Sequence, residues 1–241
     1  MNTLKNCLPF GLLLVGMGFA SAASASLETR PGGMVYDTDL NITWLADANL
    51  AASNTFGVSI SNGSGPGTMT WTQAQSWVAA MNAANYLGYS DWRLPTTTDT
   101  GEPGCVVANS GAECGFNVNP DTSELAHLFF VELGNLSSVD SAGNSRGGFT
   151  GVNYGVVNTG PFTNLQNFYY WSGTEYVPDT RYAWFFINIE GHQLYGDKDL
   201  LFNGWAVRSG DVAAVPLPAA VWLFGSALTG LSVLSAKRRR G

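Results

Sequence analysis

An uncharged run of twenty residues, 217–236, restricts the folding of this chain more than any other feature. At a rise of 1.5 Å per residue, a helix of that length is about 30 Å long and matches the hydrocarbon core of a bilayer. Four cations follow it directly, Lys237, Arg238, Arg239 and Arg240. Clusters of this kind stay on the cytoplasmic side of a membrane. We therefore expect a transmembrane helix over 217–236, with the preceding residues outside the cytoplasm.

The N-terminus has the features of a secretory signal peptide. Lys5 supplies a positive charge, residues 8–19 are apolar, and two small-residue cleavage motifs follow at 20–22 and 23–25. A permanent N-terminal anchor is the alternative, but the apolar run is short and Pro9 interrupts it. We expect a signal peptide over 1–25, whose removal also removes Cys7.

The segment between the two ends, 26–212, is long enough for one domain with a core of its own. It contains six basic residues against eighteen acidic ones, which leaves a net charge of −12. Such a charge argues against binding to nucleic acid or to strongly anionic glycans. It is compatible with neutral sugars, with cations, or with solubility outside the cell.

Two cysteines remain in this segment, Cys105 and Cys114, both in a stretch rich in Gly and Asn. In an exported protein the oxidising surroundings favour a disulfide between them. The alternative, a catalytic cysteine or a metal-binding pair, lacks a histidine nearby in the sequence.

The pattern of apolar residues predicts an α+β domain. Residues 34–36 and 42–45 read as a hairpin around an Asp- and Asn-rich turn. A helix over 71–86 has Thr70 and Gln73 as a capping box, and a second helix follows Asp121 and Glu124 and ends at Gly134. The last third predicts strands at 168–171, 182–189 and 205–207, with turns at Gly191 and at Gly196.

The C-terminus resembles a known sorting signal. Val215, Pro216, Leu217, Pro218 and Ala219 precede the apolar run and the basic cluster, an order typical of the PEP-CTERM signal in its VPLPA form. The resemblance implies that residues 213–241 are recognised and cut by an exosortase in a Gram-negative bacterium that makes exopolysaccharide. The alternative is a plain C-terminal anchor that is retained.

A second resemblance covers residues 30–210. The chain is similar to the C-terminal domain of Lcl-type collagen-like adhesins, which implies extracellular binding. The residues that carry the resemblance are Tyr36, Asp37, Leu40, Asn41, Trp44, Leu45, Trp77, the run from Gly88 to Thr96, Glu124, Leu125, Tyr170, Trp171, Ser172, Ala183, Trp184, Ala206, Val207 and Arg208.

The turn Arg93-Leu94-Pro95-Thr96 also occurs in formylglycine-generating enzymes, which have a C-type-lectin-like fold. By analogy we expect a C-type-lectin-like mixed sheet with two helices and long loops. Those enzymes imply copper-dependent oxidation through a cysteine pair near the C-terminal end. Cys105 and Cys114 lie elsewhere in this chain, so the oxidase interpretation is disfavoured.

No motif for catalysis, for a cofactor or for a metal is readable. His127 and His192 have no partner at ligand spacing, and we expect the first to pack in a helix and the second to be exposed in a turn. The run from Asp37 to Asn41 resembles the start of a calcium loop but lacks its glycine and its final glutamate, so a hairpin turn is the better interpretation. Calcium remains possible, as does a pair of catalytic carboxylates for glycoside hydrolysis.

One candidate ligand site consists of Trp171, Glu175, Tyr176 and Arg181, which together offer aromatic faces and polar groups for a sugar. The alternative is that Trp171, like Trp184 and Trp205, belongs to the core. Two arginines, Arg93 and Arg208, are expected to pair with buried carboxylates.

Taken together, the sequence predicts an exported, exosortase-sorted surface or matrix protein. We expect a non-enzymatic binding or adhesion module, with neutral exopolysaccharide as its partner and the membrane as its transient anchor. The alternatives are an extracellular enzyme acting on glycan or protein, and a purely structural surface protein.

Overall fold

The computed structural model describes residues 27–102, 109, 113–147 and 154–212. The predicted signal peptide, Cys105, and the whole C-terminal segment with its sorting motif and transmembrane helix lie outside these residues. Within the described ranges, no helix combines the length and the apolar character that a membrane crossing requires.

The first of two sheets joins both ends of the described chain. Its strands are β1 (Leu27–Arg30), β2 (Met34–Asp37), β3 (Ile42–Leu45) and β10 (Val207–Ser209), and they lie in that order with antiparallel pairing. The hairpin β2–β3 confirms the prediction, with Met34 opposite Leu45 and Asp37 opposite Ile42. The final strand starts two residues later than predicted.

The second sheet has six strands and is mixed. In spatial order they are β4 (Thr68–Met69), β9 (Phe202–Asn203), β6 (Tyr169–Glu175), β7 (Tyr182–Ile187), β8 (His192–Asp197) and β5 (Gly115–Phe116). The β6–β9 contact is parallel and the other pairs are antiparallel. Gly191 lies in the turn before β8, as predicted, whereas the turn predicted at Gly196 is wrong because this residue pairs with Ala183 inside β8.

Helix α1 spans Trp71–Ala83 and begins with the predicted capping box between Thr70 and Gln73. Its buried face, Ala74, Trp77, Val78 and Met81, follows the helical spacing that the sequence shows. The helix ends three residues earlier than predicted, since Asn85 adopts a left-handed conformation at φ 49°.

Helix α2 is short, Glu124–His127, and continues as a π-turn over Leu128–Glu132. Its N-cap is Ser123, whose hydroxyl accepts a hydrogen bond from the Ala126 N–H, so the predicted capping by Asp121 and Glu124 is wrong. The helical segment ends before Gly134, at φ +61°, as predicted.

The core is built largely from tryptophans. Trp44, Trp77, Trp171, Trp184 and Trp205 are all at most 2 % exposed, which confirms the core interpretation of the last three. Buried indoles stabilise a core best when each N–H has an acceptor. Four of the five have one, and the acceptors are Asn54 O, Met69 O, Asp99 Oδ2 and Leu45 O.

These elements form an α+β fold with two short helices, one antiparallel sheet and one mixed sheet, as the sequence predicts at that level.

Candidate functional site

The four residues proposed as a sugar platform do not form one. Trp171 is fully buried and donates its indole N–H to Met69 O at 2.9 Å. Tyr176 is also buried, with its ring stacked on Tyr195 at 3.7 Å between centroids. Because neither ring is open to solvent, neither presents a face to a ligand.

The two charged members of that set already have partners. Glu175 is exposed and forms an ion pair with Lys198. Arg181 is exposed and donates to both oxygens of Asp179, at 3.0 to 3.1 Å from Nε and 2.6 Å from Nη2. Both are surface ion pairs, a kind that contributes little to stability and defines no site.

A different part of the surface has the character of a ligand site. A cleft of about 570 Å³ lies at the β4–β9 edge of the mixed sheet and is lined by side chains from four separate segments. The lining residues are Asn49, Ser64, Gly65, Pro66, Thr68, Gln166, Asn167, Phe168 and Asn203.

The cleft is polar and neutral. None of the described residues that line it is charged, although the domain as a whole is strongly acidic. Four of the lining side chains are amides, each of which already makes one internal hydrogen bond and has further donor or acceptor capacity, and Phe168 adds a half-buried aromatic ring. A binding site for a neutral sugar needs uncharged groups that form hydrogen bonds with its hydroxyls, next to an aromatic ring.

Local contacts hold this lining in place. The Asn49 amide donates to Pro66 O at 3.1 Å, and that of Asn203 donates to Tyr169 O at 3.2 Å. Asn49 Oδ1 is buried and has no hydrogen-bond partner among the described groups. This oxygen packs against Gly67, where a Cβ would lie 2.1 Å from it.

A larger hollow, of about 640 Å³, lies beside Gly134, Asn135 and Leu136. It combines the exposed apolar side chains of Leu136 and Val157 with two charged residues, Asp140 and Arg146. The Asp140 carboxylate already accepts hydrogen bonds from the Ala142 and Asn144 N–H groups. This mixture has less in common with a sugar site than the neutral cleft has.

The prediction that His192 is exposed in a turn is wrong. The residue begins β8, is 7 % exposed, and stacks on Phe116 with 4.1 Å between ring centroids. Burial lowers the pKa of His192 below its ordinary value, and the nearby Glu190 carboxylate acts in the opposite direction.

The other histidine belongs to a buried group of three ionisable side chains. His127 packs in the helix, as predicted, and one ligand atom from each of Asp37, His127 and Glu132 lies within 4.8 Å of the others. His127 Nε2 is 3.5 Å from Glu132 Oε1, and the side chains of these two residues are 10 % and 0 % exposed. Asp37 lies in the hairpin turn that the sequence predicts, where its carboxylate accepts hydrogen bonds from the Asp39 and Leu40 N–H groups. The same carboxylate also lies beside His127 and Glu132.

Burial dominates the electrostatics of this group. It raises the pKa of Glu132 to about 7, with smaller contributions from the negative charges of Asp37 and Asp39. It also raises the pKa of Asp37, while hydrogen bonds from Leu40, the charge of His127 and the Trp44 indole lower it. Two acidic groups are therefore held where their charged forms are poorly solvated.

The predicted arginine pairs are both present. Arg93 binds Glu124, whose side chain is 15 % exposed, and Arg208 binds Asp91, whose side chain is 52 % exposed. The first carboxylate is thus partly buried and the second is exposed, so the prediction of buried carboxylates holds only in part for the first pair and is wrong for the second. Cys114 is buried against Tyr176 and Trp184, and its pairing with Cys105 stays a prediction.

Comparison with known protein families agrees with one part of the resemblance. Residues 33–102 match the model of the Lcl C-terminal domain. This segment contains the β2–β3 hairpin, α1 and the turn that begins at Arg93. No curated protein and no solved structure matches the chain.

Proposed function

We propose that this protein is an exported, non-enzymatic binding module of the cell surface or extracellular matrix, and that it binds neutral polysaccharide. The observation that carries the proposal is the uncharged, amide-lined cleft at the β4–β9 edge on a domain with a net charge of −12. A negative surface repels anionic polymers and leaves neutral ones free to approach.

The same cleft supports binding over catalysis. Glycoside hydrolysis needs two carboxyl groups on either side of the scissile bond. The described lining of the cleft contains neither aspartate nor glutamate. An extracellular enzyme acting on glycan or protein is the runner-up, and turnover abolished by changing one carboxylate elsewhere would favour it.

The finer parts of the proposal rest on sequence resemblance. The Lcl-like character is supported over residues 33–102, and we extend it to the rest of the domain with a C-type-lectin-like topology. The VPLPA motif supports export followed by exosortase cleavage, delivery to the outer surface, and release or retention in exopolysaccharide. The Cys105–Cys114 disulfide fits the same compartment.

The test is binding of purified 26–212 to the polysaccharide of the producing cell, measured by calorimetry with calcium and with chelator. We expect saturable binding of the neutral polymer, and no binding of a sulfated one. Absence of saturable binding under both conditions would overturn the proposal and leave a structural role.

Two substitutions locate the site. Asn167→Ala removes an exposed amide whose oxygen also accepts a hydrogen bond from the Val156 N–H at 3.2 Å. We expect a loss of about three- to tenfold in affinity, the effect of one hydrogen bond, and an unchanged melting temperature would assign that loss to the ligand contact. Ser64→Trp fills the cleft and should abolish binding. Ser76→Trp places the same side chain on the exposed face of α1 and serves as the matched control, for which we expect unchanged affinity.

A further inference from the structure

The π-turn after α2 determines which side chains meet beneath the β2–β3 hairpin. In a regular α-helix, residues five apart lie about 140° apart around the axis and face different sides. Here the Leu133 N–H donates to Leu128 O at 2.9 Å, five residues back, which widens the turn. The widened turn brings Glu132 to the same side as His127, with 3.5 Å between Oε1 and Nε2.

The hairpin supplies the third side chain in a fixed orientation. Asp37 Oδ1 accepts hydrogen bonds from the backbone N–H groups of Asp39 at 3.1 Å and Leu40 at 2.9 Å. These bonds hold one oxygen in the turn. The other oxygen, Oδ2, is buried and makes no hydrogen bond of normal geometry in the described ranges, although the Trp44 indole N–H, which also lacks an acceptor, acts on this carboxylate. Supporting bonds to one atom of a ligand commonly orient the other in metal sites.

The three side chains lack the partners that burial requires. Asp37 Oδ2, both nitrogens of His127 and both oxygens of Glu132 are buried without a hydrogen bond to any described group. An unpaired carboxylate in such surroundings is strongly unfavourable, and two of them occur side by side. The carboxylates therefore need a positive charge beside them, from a bound cation or a protonated His127, or they must lose their own charge.

We propose that Asp37, His127 and Glu132 bind one divalent transition-metal ion of the Zn²⁺ class. Two carboxylates neutralise a divalent charge, and an imidazole selects zinc and its neighbours over calcium and magnesium. Calcium prefers six to eight oxygen ligands, whereas this cluster has three ligand side chains, one of which is a nitrogen donor.

The distances fit such an ion after small side-chain movements. Two ligands at about 2.1 Å from zinc in tetrahedral geometry are about 3.4 Å apart. The His127–Glu132 separation is 3.5 Å. The ligand atoms of the group all lie within 4.8 Å of one another, so binding draws the widest pair together by at most about an ångström and a half. His127 is 10 % exposed on its side chain and provides the contact with solvent.

The role assigned to the ion is structural. It joins the β2–β3 turn to the end of the second helical segment, two parts of the chain that are far apart in sequence. The inference does not depend on sugar binding, because none of its three ligands lines the cleft.

The experiment uses the full chain purified in detergent, stripped with a chelator and then equilibrated separately with Zn²⁺, Mn²⁺ and Ca²⁺. We expect one zinc ion per chain to be retained through gel filtration and to raise the melting temperature. Cobalt at the same site should give the visible absorption bands of a four-coordinate nitrogen and oxygen environment. This measurement tests the site in the wild-type chain, without any substitution.

The variants separate ligation from folding. Asp37→Asn keeps an oxygen that accepts the turn hydrogen bonds and removes the charge, and Glu132→Gln keeps the volume of its side chain. Loss of a side chain that supports a metal ligand typically lowers affinity by roughly 10- to 100-fold. Because Asp37 and Glu132 are ligands themselves, both variants should lower zinc affinity by more than that. Asp39→Asn changes an exposed carboxylate of the same turn that acts on Glu132 only through its charge, and it is the matched control, with a much smaller loss of affinity expected than in the two ligand variants.

Three results would overturn the proposal. In the first, the wild-type chain retains no zinc and its melting temperature does not change with zinc. In the second, both variants retain zinc as well as the wild type does. In the third, the wild-type chain binds calcium in preference to zinc. In the first case the three side chains share a proton instead, and Glu132→Gln would leave stability unchanged or raise it, with or without metal.

Discussion

Arg93 and Glu124 hold two distant parts of the chain together through a two-point ion pair. Nη1 donates to Oε2 and Nη2 donates to Oε1, each at 2.7 Å, and the Thr96 N–H donates to the same carboxylate at 2.7 Å. The pair fixes the Arg93–Thr96 turn against the first turn of α2. Paired, charge-assisted hydrogen bonds of this geometry are among the stronger polar contacts in proteins.

Glu124→Gln should therefore destabilise the domain by about 2 kcal/mol, since it leaves a partly buried guanidinium without its counter-charge. Urea unfolding measures the change. The matched control is Asp179→Asn, which breaks the Arg181 pair on the open surface and should produce no measurable change. Equal effects in the two variants would contradict the special role of the Glu124 pair.

Gly191 should tolerate no side chain. Its φ is +61°, and a Cβ would lie 2.7 Å from Ser137 Cα and 2.9 Å from Phe129 Cε1. We expect Gly191→Ala to lose about 3 kcal/mol, the sum of a left-handed backbone and a forced repacking. Gly33 has a similar φ, +79°, but a Cβ there would have nothing within 4 Å, so Gly33→Ala should lose only about 1 kcal/mol. Thermal unfolding of both variants checks the difference.

His192 should lower the stability as the solution becomes mildly acidic, against an opposing contribution from Glu132, whose pKa, raised to about 7, favours the folded state as the pH falls. The folded-state pKa of His192 lies below the ordinary value of about 6.5 because burial disfavours the charged ring. Above pH 6.5 His192 is neutral in both the folded and the unfolded state, so it adds no pH dependence to the stability. As the pH drops below 6.5 the unfolded state binds the proton first, so unfolding becomes easier.

His192→Gln removes this titration. On lowering the pH from 7.5 to 5.5, the free energy of unfolding of the variant should fall less, or rise more, than that of the wild type. Parallel profiles for the two proteins over this interval would show that His192 takes no part.

The proposed sorting signal predicts a processing defect. Replacing Pro216 and Pro218 by alanine, or deleting Lys237 to Arg240, should leave precursor of unprocessed mass in the membrane fraction of the producing cell. Immunoblots of membrane and medium give the readout. Mature protein of unchanged mass and location in both variants would contradict exosortase recognition.

Local signals in the sequence were sufficient for the hairpin and for α1. The turn from Asp37 to Asn41 and the Thr70–Gln73 capping box each involve neighbours in the chain, and the structure contains both. The identity of the core tryptophans was also readable, because large aromatic residues dominate the interior of a small domain.

Features that depend on long-range pairing were missed. Strand β8 contains the polar residues His192 and Gln193, which are buried only because β5, far away in sequence, pairs with them. Gly196 was predicted to be a turn because of its residue type, whereas its pairing with Ala183 in β7 places it inside the strand.

The site residues were missed for related reasons. The neutral cleft combines Asn49 and Asn203 with two intervening segments, and no spacing in the sequence indicates that they meet. His127 and Glu132 are five apart, a spacing that suggests no shared face until the π-turn is known.

Strand β10 determines how the molecule responds to tension. It is the last strand before Val212, and it pairs with β3 through Val207, Arg208 and Ser209. The Arg30–Asp211 ion pair joins the segment that follows β10 to β1, the strand at the opposite edge of the sheet. A pull on the chain beyond Val212 therefore reaches β10 before any other strand. The next strand back along the chain is β9, whose Asn203 lines the cleft, so a force applied through the C-terminal end would act on the surface proposed to bind sugar as soon as β10 had been peeled from β3.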